Sequence, residues 1–160
     1  MFQHIVVALD GSQLAERVLP YVEELAAKFG SKLVLVRSTP PVERSGAALA
    51  AAEGALTIDP TAWVDQERAE AESYLTDISN RLRERRIAVE TAQPEGVAAQ
   101  VIAQEARRSG ADLIAMTTHG AGGLGRLLFG SVADEVLRTA PCPVLLVRVH
   151  EQGARWLENP

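Results

Sequence analysis

The glycine-rich stretch at residues 118–131, T-H-G-A-G-G-L-G-R-L-L-F-G-S, is the part of the sequence with the clearest capacity for chemistry. Glycines at this density let a backbone approach a phosphate group closely, because no Cβ atom intervenes. Residues 120–125 also contain the G-x-G-x-x-G spacing of a dinucleotide-binding loop. A second polar turn, D-G-S at residues 10–12, follows the first apolar run. These two turns are the candidate sites for a phosphorylated ligand.

Two common phosphate-binding loops do not fit the glycine-rich stretch. A Walker A loop requires lysine and then serine or threonine after its last glycine, whereas Gly125 is followed by Arg126 and Leu127. A dinucleotide-binding loop belongs to the first strand-to-helix turn and needs an acidic residue about 20 positions later. That position falls near Leu145, where no carboxylate is present. The sequence therefore disfavours both a Walker NTPase and an NAD-binding protein.

A longer phosphate cradle fits better. Gly130 and Ser131 precede a helical apolar pattern, so the backbone N–H groups of Gly130, Ser131 and Val132 are predicted to be unpaired donors at a helix N-terminus. Gly120, ten residues earlier, lets the chain leave the preceding strand and approach the same anion. The Ser131 hydroxyl either bonds a phosphate oxygen or caps its own helix. These residues predict a site for an anion.

Two side chains inside the loop have open roles. Arg126 either adds a charge-assisted contact to a phosphate or extends into solvent. His119 either touches a ligand or packs against the backbone before the glycine turn. Both are candidate phosphate contacts.

The elements that must position these turns alternate along the chain. Apolar runs predict strands at residues 4–10, 32–36, 87–92, 112–117 and 144–149. Helical patterns lie between them, at residues 12–29, where Pro20 is predicted to kink the helix, and at residues 63–85, 96–108 and 131–139. This order predicts an α/β fold: a single-domain, doubly wound, five-stranded parallel sheet of order 3-2-1-4-5, Rossmann-like, with helices on both faces. Strands 1 and 4 are then neighbours, and the two turns face each other at the ligand-binding edge.

Length and composition set further limits. The 160 residues predict one domain over residues 1–150, with a long loop at 39–61 and a frayed tail at 151–160. The net charge of −5 argues against nucleic-acid binding, and no export signal or membrane-length apolar run is seen. The single cysteine, Cys142, suggests a reducing cytoplasm and a buried, unreactive thiol.

A family resemblance becomes specific at the end of the fourth strand. Thr117-x2-Gly120-x9-Gly130-Ser131 resembles the ATP-binding signature G-x2-G-x9-G-[ST] of the universal stress protein family, in its nucleotide-binding branch. The similarity extends over residues 2–149 apart from 39–61, and includes I-V-V-A-L-D-G-S, A-D-L-I-A-M-T-T-H-G, G-S-V-A-D-E-V-L and A-P-C-P-V-L-L-V. Thr117 departs from the signature, because its β-branched side chain stands where the first glycine would leave room for the ligand.

The resemblance implies roles for particular residues. It places Asp10 at the ribose or adenine, Ala8 and Leu9 beside the base, Ser38 with its backbone at the adenine edge, Met116 and Thr117 against the nucleoside, and Gly120, Gly130, Ser131 and Val132 at the phosphates. Asp10 has an alternative interpretation as a carboxylate that stabilises a helix N-terminus. Mg²⁺, if bound, would be held mainly by phosphate oxygens and water. No protein metal site is expected, because His4, His119, His150 and Cys142 lack ligand spacing.

The resemblance also implies a function. It suggests a nucleotide-sensing regulatory protein of the stress response that binds ATP, ADP or AMP. Without a Walker lysine, an aspartate-rich metal motif or a base beside the loop, at most slow ATP hydrolysis or autophosphorylation is expected. The family further implies a homodimer formed through antiparallel pairing of the edge strand at 144–149, with an unknown protein partner.

Two other functions remain open. One is a protein of the same fold that binds no nucleotide and acts through dimerisation and partner binding. The other is an adenylate-forming enzyme, which would require an S-G-G-x-D-like loop after the first strand, where D-G-S stands instead.

Overall fold

The computed structural model describes residues 1–41, 60–118 and 130–148. Five parallel strands form one sheet in the order β3-β2-β1-β4-β5, which confirms the predicted topology. The strands are β1 (His4–Ala8), β2 (Lys32–Val36), β3 (Ala88–Ala92), β4 (Leu113–Thr117) and β5 (Val144–Val147). The helices are α1 (Leu19–Phe29), α2 (Pro60–Glu84), α3 (Ala98–Arg108) and α4 (Ser131–Thr139), and a 3-10 helix at Ala15–Val18 precedes α1.

The sheet separates two hydrophobic cores. Side chains alternate along β1, so Ile5 and Val7 join the core beneath α1 and α2, whereas Val6 and Ala8 join the core beneath α3 and α4. All four are buried. Strands covered on both faces need apolar residues at successive positions, which explains the unbroken I-V-V-A run of β1. Both cores are therefore specified by the same short strands.

The Pro20 region differs from the prediction of one kinked helix. The 3-10 helix ends at Val18, the α-helix begins at Leu19, and Pro20 lies in its first turn. Proline is tolerated there because the first N–H groups of a helix have no intrahelical acceptor. The helix ends as predicted at Gly30, whose positive φ of 69° lets its N–H donate to the Ala26 carbonyl.

Other boundaries shift by two or three residues. The first strand ends at Ala8 rather than residue 10, and the second long helix begins at Pro60 rather than residue 63. The third begins at Ala98 rather than at Gly96, whose φ of 146° is not helical. The fourth helix, Ser131–Thr139, has its predicted bounds. Residues 42–59 of the predicted loop, residue 149 of the predicted edge strand and the predicted tail lie outside the described residues.

The one cysteine of the sequence lies just before β5. Cys142 is partly buried against the core beneath α3 and α4. Desolvation, with a smaller contribution from the Asp112 carboxylate, raises the pKa of its thiol. The reactive thiolate is therefore scarce at neutral pH.

Across the described ranges, no helix is long and apolar enough to cross a membrane.

Candidate functional site

A cleft of about 360 Å³ opens at the carboxyl edge of the sheet. Its volume lies toward the lower end of the roughly 300–1,000 Å³ common for small-molecule sites. The ends of β1, β2 and β4 form its floor, and α2, α3 and α4 contribute to its walls. It contains all nine described residues that were predicted to bind the nucleotide: Ala8, Leu9, Asp10, Ser38, Met116, Thr117, Gly130, Ser131 and Val132. His119, Gly120 and Arg126 lie outside the described residues.

The turn after β1 is organised by the Asp10 carboxylate. Its Oδ1 atom accepts hydrogen bonds from the Ser12 backbone N–H (2.9 Å) and from the Ser12 hydroxyl (2.7 Å). The Ser12 Oγ atom in turn accepts a hydrogen bond from the Ala15 N–H (3.1 Å) at the start of the 3-10 helix. Asp10 therefore supports the turn and lines the cleft at the same time, so its two interpretations do not exclude each other.

The backbone of Ser38 faces the cleft for a reason that follows from strand geometry. On either side of it, the Arg37 N–H donates to Ala92 O and the Thr39 N–H donates to Pro94 O, both at 3.2 Å and both toward β3. Successive residues of an extended chain direct their backbone groups to opposite sides. Ser38 consequently directs its N–H and carbonyl toward the end of β1, where the cleft opens.

The β4 side of the cleft is held by backbone contacts. Thr118 donates its N–H to Val147 O (3.0 Å) and accepts a hydrogen bond from the Gly130 N–H (2.7 Å). The prediction that the Gly130 N–H is an unpaired donor is therefore wrong. Gly130 is the N-cap of α4, and its N–H points back to the end of β4. The bond joins the two ends of the segment 119–129.

The remaining donors belong to the first turn of α4. The first intrahelical bond runs from the Asp134 N–H to the Gly130 carbonyl (3.0 Å), so the preceding N–H groups have no acceptor within the helix. Because Gly130 is the N-cap, Ser131 occupies the first helical position. No side-chain hydrogen bond caps α4, so the Ser131 hydroxyl does not act as its cap. Ser131 and Val132 are both exposed and line the cleft. This end of the cleft favours an anion.

Several lining residues were not identified from the sequence. Ala98 and Ile102 come from α3, Glu67 comes from α2, and Arg37 follows β2. These residues come together at the cleft only in the folded chain, so no local motif identifies them. The R-S pair at residues 37–38 at a predicted strand end is the one signal that could have drawn attention to Arg37.

Arg37 connects the turn after β1 to α2. Its guanidinium carbon lies 5.4 Å from the centre of the Tyr74 ring, a cation–π arrangement. A Cβ atom placed on Gly11 would lie 2.9 Å from the same guanidinium group. Burial, and to a smaller extent the carboxylates of Glu16 and Asp10, raise the pKa of Tyr74 above its usual value. Charged groups of both signs therefore surround this tyrosine.

In residues 1–41, 60–118 and 130–148, no group of three or more His, Cys, Asp or Glu side chains is placed to hold a metal ion. A cation bound with a nucleotide in this part of the cleft would take its ligands mainly from phosphates and water.

The fold and the cleft define a doubly wound α/β protein with an open cleft at its strand-order switch point, where proteins of this architecture bind ligands. The model of the universal stress protein family matches residues 1–148. The chain belongs to the universal stress protein family.

Individual relatives agree with this assignment. A universal stress protein of Thermus aquaticus is 35% identical over 155 residues, covering 92% of this chain and 100% of the relative. The crystal structure of a family member from Burkholderia pseudomallei is 33% identical, with a TM-score of 0.69 over 91% of this chain and 96% of that one. A universal stress protein from Archaeoglobus fulgidus, solved in complex with dAMP, is 25% identical, with a TM-score of 0.65 over 91% and 98% of the two chains.

Proposed function

We propose that this chain binds an adenine nucleotide in the cleft and acts as a nucleotide-sensing regulatory protein of the stress response. One observation carries most of the weight: all nine described residues to which the family resemblance gives a role at the nucleotide line a single cleft. They lie at or just after the ends of three strands and at the start of one helix, which are far apart in sequence. The A. fulgidus relative solved with dAMP supports an adenine nucleotide as the ligand class.

The cleft suggests an orientation for the ligand. The phosphates lie at the N-terminal turn of α4, near Ser131 and Val132, where helix N–H groups favour negative charge. The base lies toward β2, where the Ser38 backbone offers a donor and an acceptor. Ala8 and Leu9 provide an apolar surface between these ends. His119, Gly120 and Arg126 complete the phosphate cradle in this proposal, and Mg²⁺ enters with ATP or ADP on the phosphates.

The protein is proposed to sense nucleotides rather than to turn them over rapidly. Asp10, a carboxylate that lines the cleft, is already engaged with Ser12. Phosphoryl transfer needs a group that positions water or another nucleophile at the terminal phosphate. At most slow ATP hydrolysis or autophosphorylation is expected.

A cleft-filling substitution tests the site directly. Ala98→Leu adds three carbon atoms to the α3 wall at a partly exposed position, so we expect at least a tenfold loss of affinity for ATP, ADP and AMP by calorimetry. Gln100→Leu, exposed on the same helix and absent from the lining residues, is the matched control and leaves affinity unchanged. If the wild-type protein binds none of these nucleotides up to millimolar concentration and releases none on denaturation, the proposal fails.

A second function has its own supporting observation. Thr117, in place of the first signature glycine, is buried and lines the cleft. If its side chain excludes the nucleotide, the chain acts through dimerisation and partner binding instead. Thr117→Gly then creates binding that the wild type lacks. Under the primary proposal, wild type binds and Thr117→Gly tightens binding about tenfold by removing the crowding, equivalent to about 1.4 kcal/mol.

The assembly is also a proposal. We propose a homodimer formed through the outer edge of β5. We also propose that the chain acts on a separate protein partner, which is not identified. The single domain at residues 1–150 and the cytoplasmic location stay predictions.

A further inference from the structure

Glu67 is the lining residue whose chemistry is least explained by the family signature. It projects from α2 into the cleft and is partly buried, and the signature contains no counterpart for it. Its neighbours in α2 are engaged elsewhere. Gln66 donates a hydrogen bond to Glu70 (2.9 Å), and Arg68 forms an ion pair with Glu95 (3.2 Å). Among the described residues, the Glu67 carboxylate has no hydrogen-bond or ion-pair partner of its own.

The position of Glu67 within the cleft follows from contacts of the adjacent residue. Arg68 is fixed to the segment after β3 twice, through its ion pair with Glu95 and through its carbonyl, which accepts a hydrogen bond from Gln93 Nε2 (2.7 Å). That segment is bridged to Thr39, whose carbonyl accepts a hydrogen bond from the Gly96 N–H (2.9 Å). Thr39 directly follows Ser38. The Glu67 side chain therefore lies at the β2 end of the cleft.

The cleft is consequently polarised. The strand order places β1 between β2 and β4, so Glu67 and the start of α4 lie toward opposite ends. A carboxylate at one end repels phosphate and accepts hydrogen bonds, whereas helix N–H groups at the other end attract phosphate. A ligand whose phosphates occupy the α4 end must present its other end, the base, to Glu67.

We propose that Glu67 is a specificity-determining residue that accepts a hydrogen bond from the exocyclic amine of the bound purine. This inference rests on the proposed function and adds to it the feature of the base that is recognised. A partly desolvated carboxylate is a stronger acceptor than a backbone carbonyl, so it discriminates in favour of a ligand that offers an N–H group. The helix-to-loop contacts of Arg68 act as positioning contacts, because they hold this part of α2 against the cleft.

The test compares two nucleotides that differ only in the amine. AMP carries it, and purine riboside 5′-monophosphate has hydrogen in its place. Both have the same charge, so removing a negative charge from the protein changes the two affinities equally unless the carboxylate contacts the amine. The ratio of the two dissociation constants therefore isolates the contact from any general electrostatic effect.

The variant is Glu67→Ala, with Glu72→Ala as the matched control. Both positions lie in α2, and Glu72 is exposed and absent from the cleft lining. Alanine is a good helix former, so both variants are expected to fold, which circular dichroism checks. In wild type and Glu72→Ala, AMP binds about tenfold or more tightly than purine riboside 5′-monophosphate. In Glu67→Ala, that preference falls by about tenfold.

Each outcome has a definite meaning. If Glu67→Ala and Glu72→Ala retain the same preference, the role of Glu67 is refuted while AMP binding leaves the proposed function intact. If wild type binds neither nucleotide, the role of Glu67 is refuted, and the proposed function fails as well if ATP and ADP also do not bind. If wild type binds both equally well, the amine is not recognised and the inference is wrong.

Discussion

Gly11 couples the floor of the cleft to α2. Its φ of 88° lies in the left-handed region, and its missing Cβ leaves room for the Arg37 guanidinium, which extends over Tyr74. Any side chain at this position strains the backbone and displaces Arg37. Because Asp10 and Ser12 flank Gly11, their hydrogen-bonded turn moves with it.

Gly11→Ala is therefore expected to affect both stability and ligand binding. The positive φ costs about 1–2 kcal/mol of unfolding free energy, and the distorted turn weakens nucleotide binding about tenfold or more. Gly30→Ala is the matched control, because Gly30 also has a positive φ but has no atom within 4 Å of the added Cβ. It loses comparable stability in denaturant melts and keeps its affinity in calorimetry. Equal binding losses in both variants would contradict the proposed link through Arg37.

Residue-level prediction succeeds where a motif is local and fails where the fold creates the contact. Gly130, Ser131 and Val132 lie at the start of a helix as the apolar pattern indicates. The partner of the Gly130 N–H, however, is Thr118, on the far side of an eleven-residue segment. Glu67 is also invisible to local patterns, because it reaches the cleft only when α2 is held against the segment after β3.

At the scale of elements, α2 contributes both to a core and to the cleft. Leu75, Ile78 and Leu82 are buried in the core beneath α1 and α2, while Glu67, two turns earlier than Tyr74, lines the cleft. Ion pairs from Arg81 to Glu16 (2.8 Å) and from Arg85 to Glu23 tie the end of α2 and the turn that follows it to the 3-10 helix and α1. Such exposed pairs each contribute little, roughly 0–1 kcal/mol. The buried face therefore dominates the attachment of α2.

The Tyr74 hydroxyl is a weak point in this attachment. It is buried and has no hydrogen-bond partner among the described residues. Tyr74→Phe removes the unsatisfied group and retains the ring beneath Arg37, so we expect the free energy of unfolding at pH 7 to rise by up to about 1 kcal/mol. Tyr21→Phe, at the other tyrosine of the chain, is the control. A clear loss of stability in Tyr74→Phe in urea melts would show that the hydroxyl is satisfied after all.

The same residue gives a pH dependence. The raised pKa of folded Tyr74 means that the unfolded chain, with a tyrosine pKa of about 10, releases this proton first as pH rises. The stability contributed by neutral Tyr74 is therefore fully present below about pH 10 and is lost as pH rises toward its folded pKa. Above pH 10, wild type should lose unfolding free energy faster than Tyr74→Phe. Parallel curves for the two proteins would contradict this prediction.

Element types were predictable because strand and helix patterns are periodic, but ends depend on single residues. Proline at the start of α2 and in the first turn of α1 occupies positions where no N–H is needed, a placement that apolar spacing does not reveal. The apolar spacing predicts a helix from Gly96, but the φ of 146° at Gly96 is not helical, and α3 begins at Ala98. Single residues, rather than the periodic pattern, therefore set these boundaries.

At the scale of the whole molecule, the outer edge of β5 is the proposed dimer contact. Val144, Leu145 and Leu146 are partly exposed, and within the described residues β5 pairs only with β4. The carbonyls of Pro143 and Val147 accept hydrogen bonds from Ile114 in β4 and from Thr118 directly after it, so the backbone groups of Val144 and Leu146 face outward. A proline at Val147 would therefore disturb the sheet itself. Leu146 is the better position.

Leu146→Pro removes an outward N–H group while the β4–β5 hydrogen bonds remain, so we expect the dimer to become a monomer. Leu146→Lys should act in the same direction by placing charge at the edge. Phe29→Lys, an exposed apolar residue at the end of α1, is the matched control and keeps the dimer. Analytical ultracentrifugation distinguishes the species. A sedimentation coefficient unchanged by both Leu146 variants would count against the β5 interface.

The rate at which the Cys142 thiol is modified can be used to measure local opening of the fold at the start of β5. It is the one thiol in the sequence, and it is partly buried next to the start of β5 with a raised pKa. A thiol reagent should therefore modify the native protein slowly, at a rate set by how often this end of the sheet edge separates from the core. Labelling kinetics with and without AMP would show whether occupancy of the cleft is felt at the opposite end of β5, without any engineered probe.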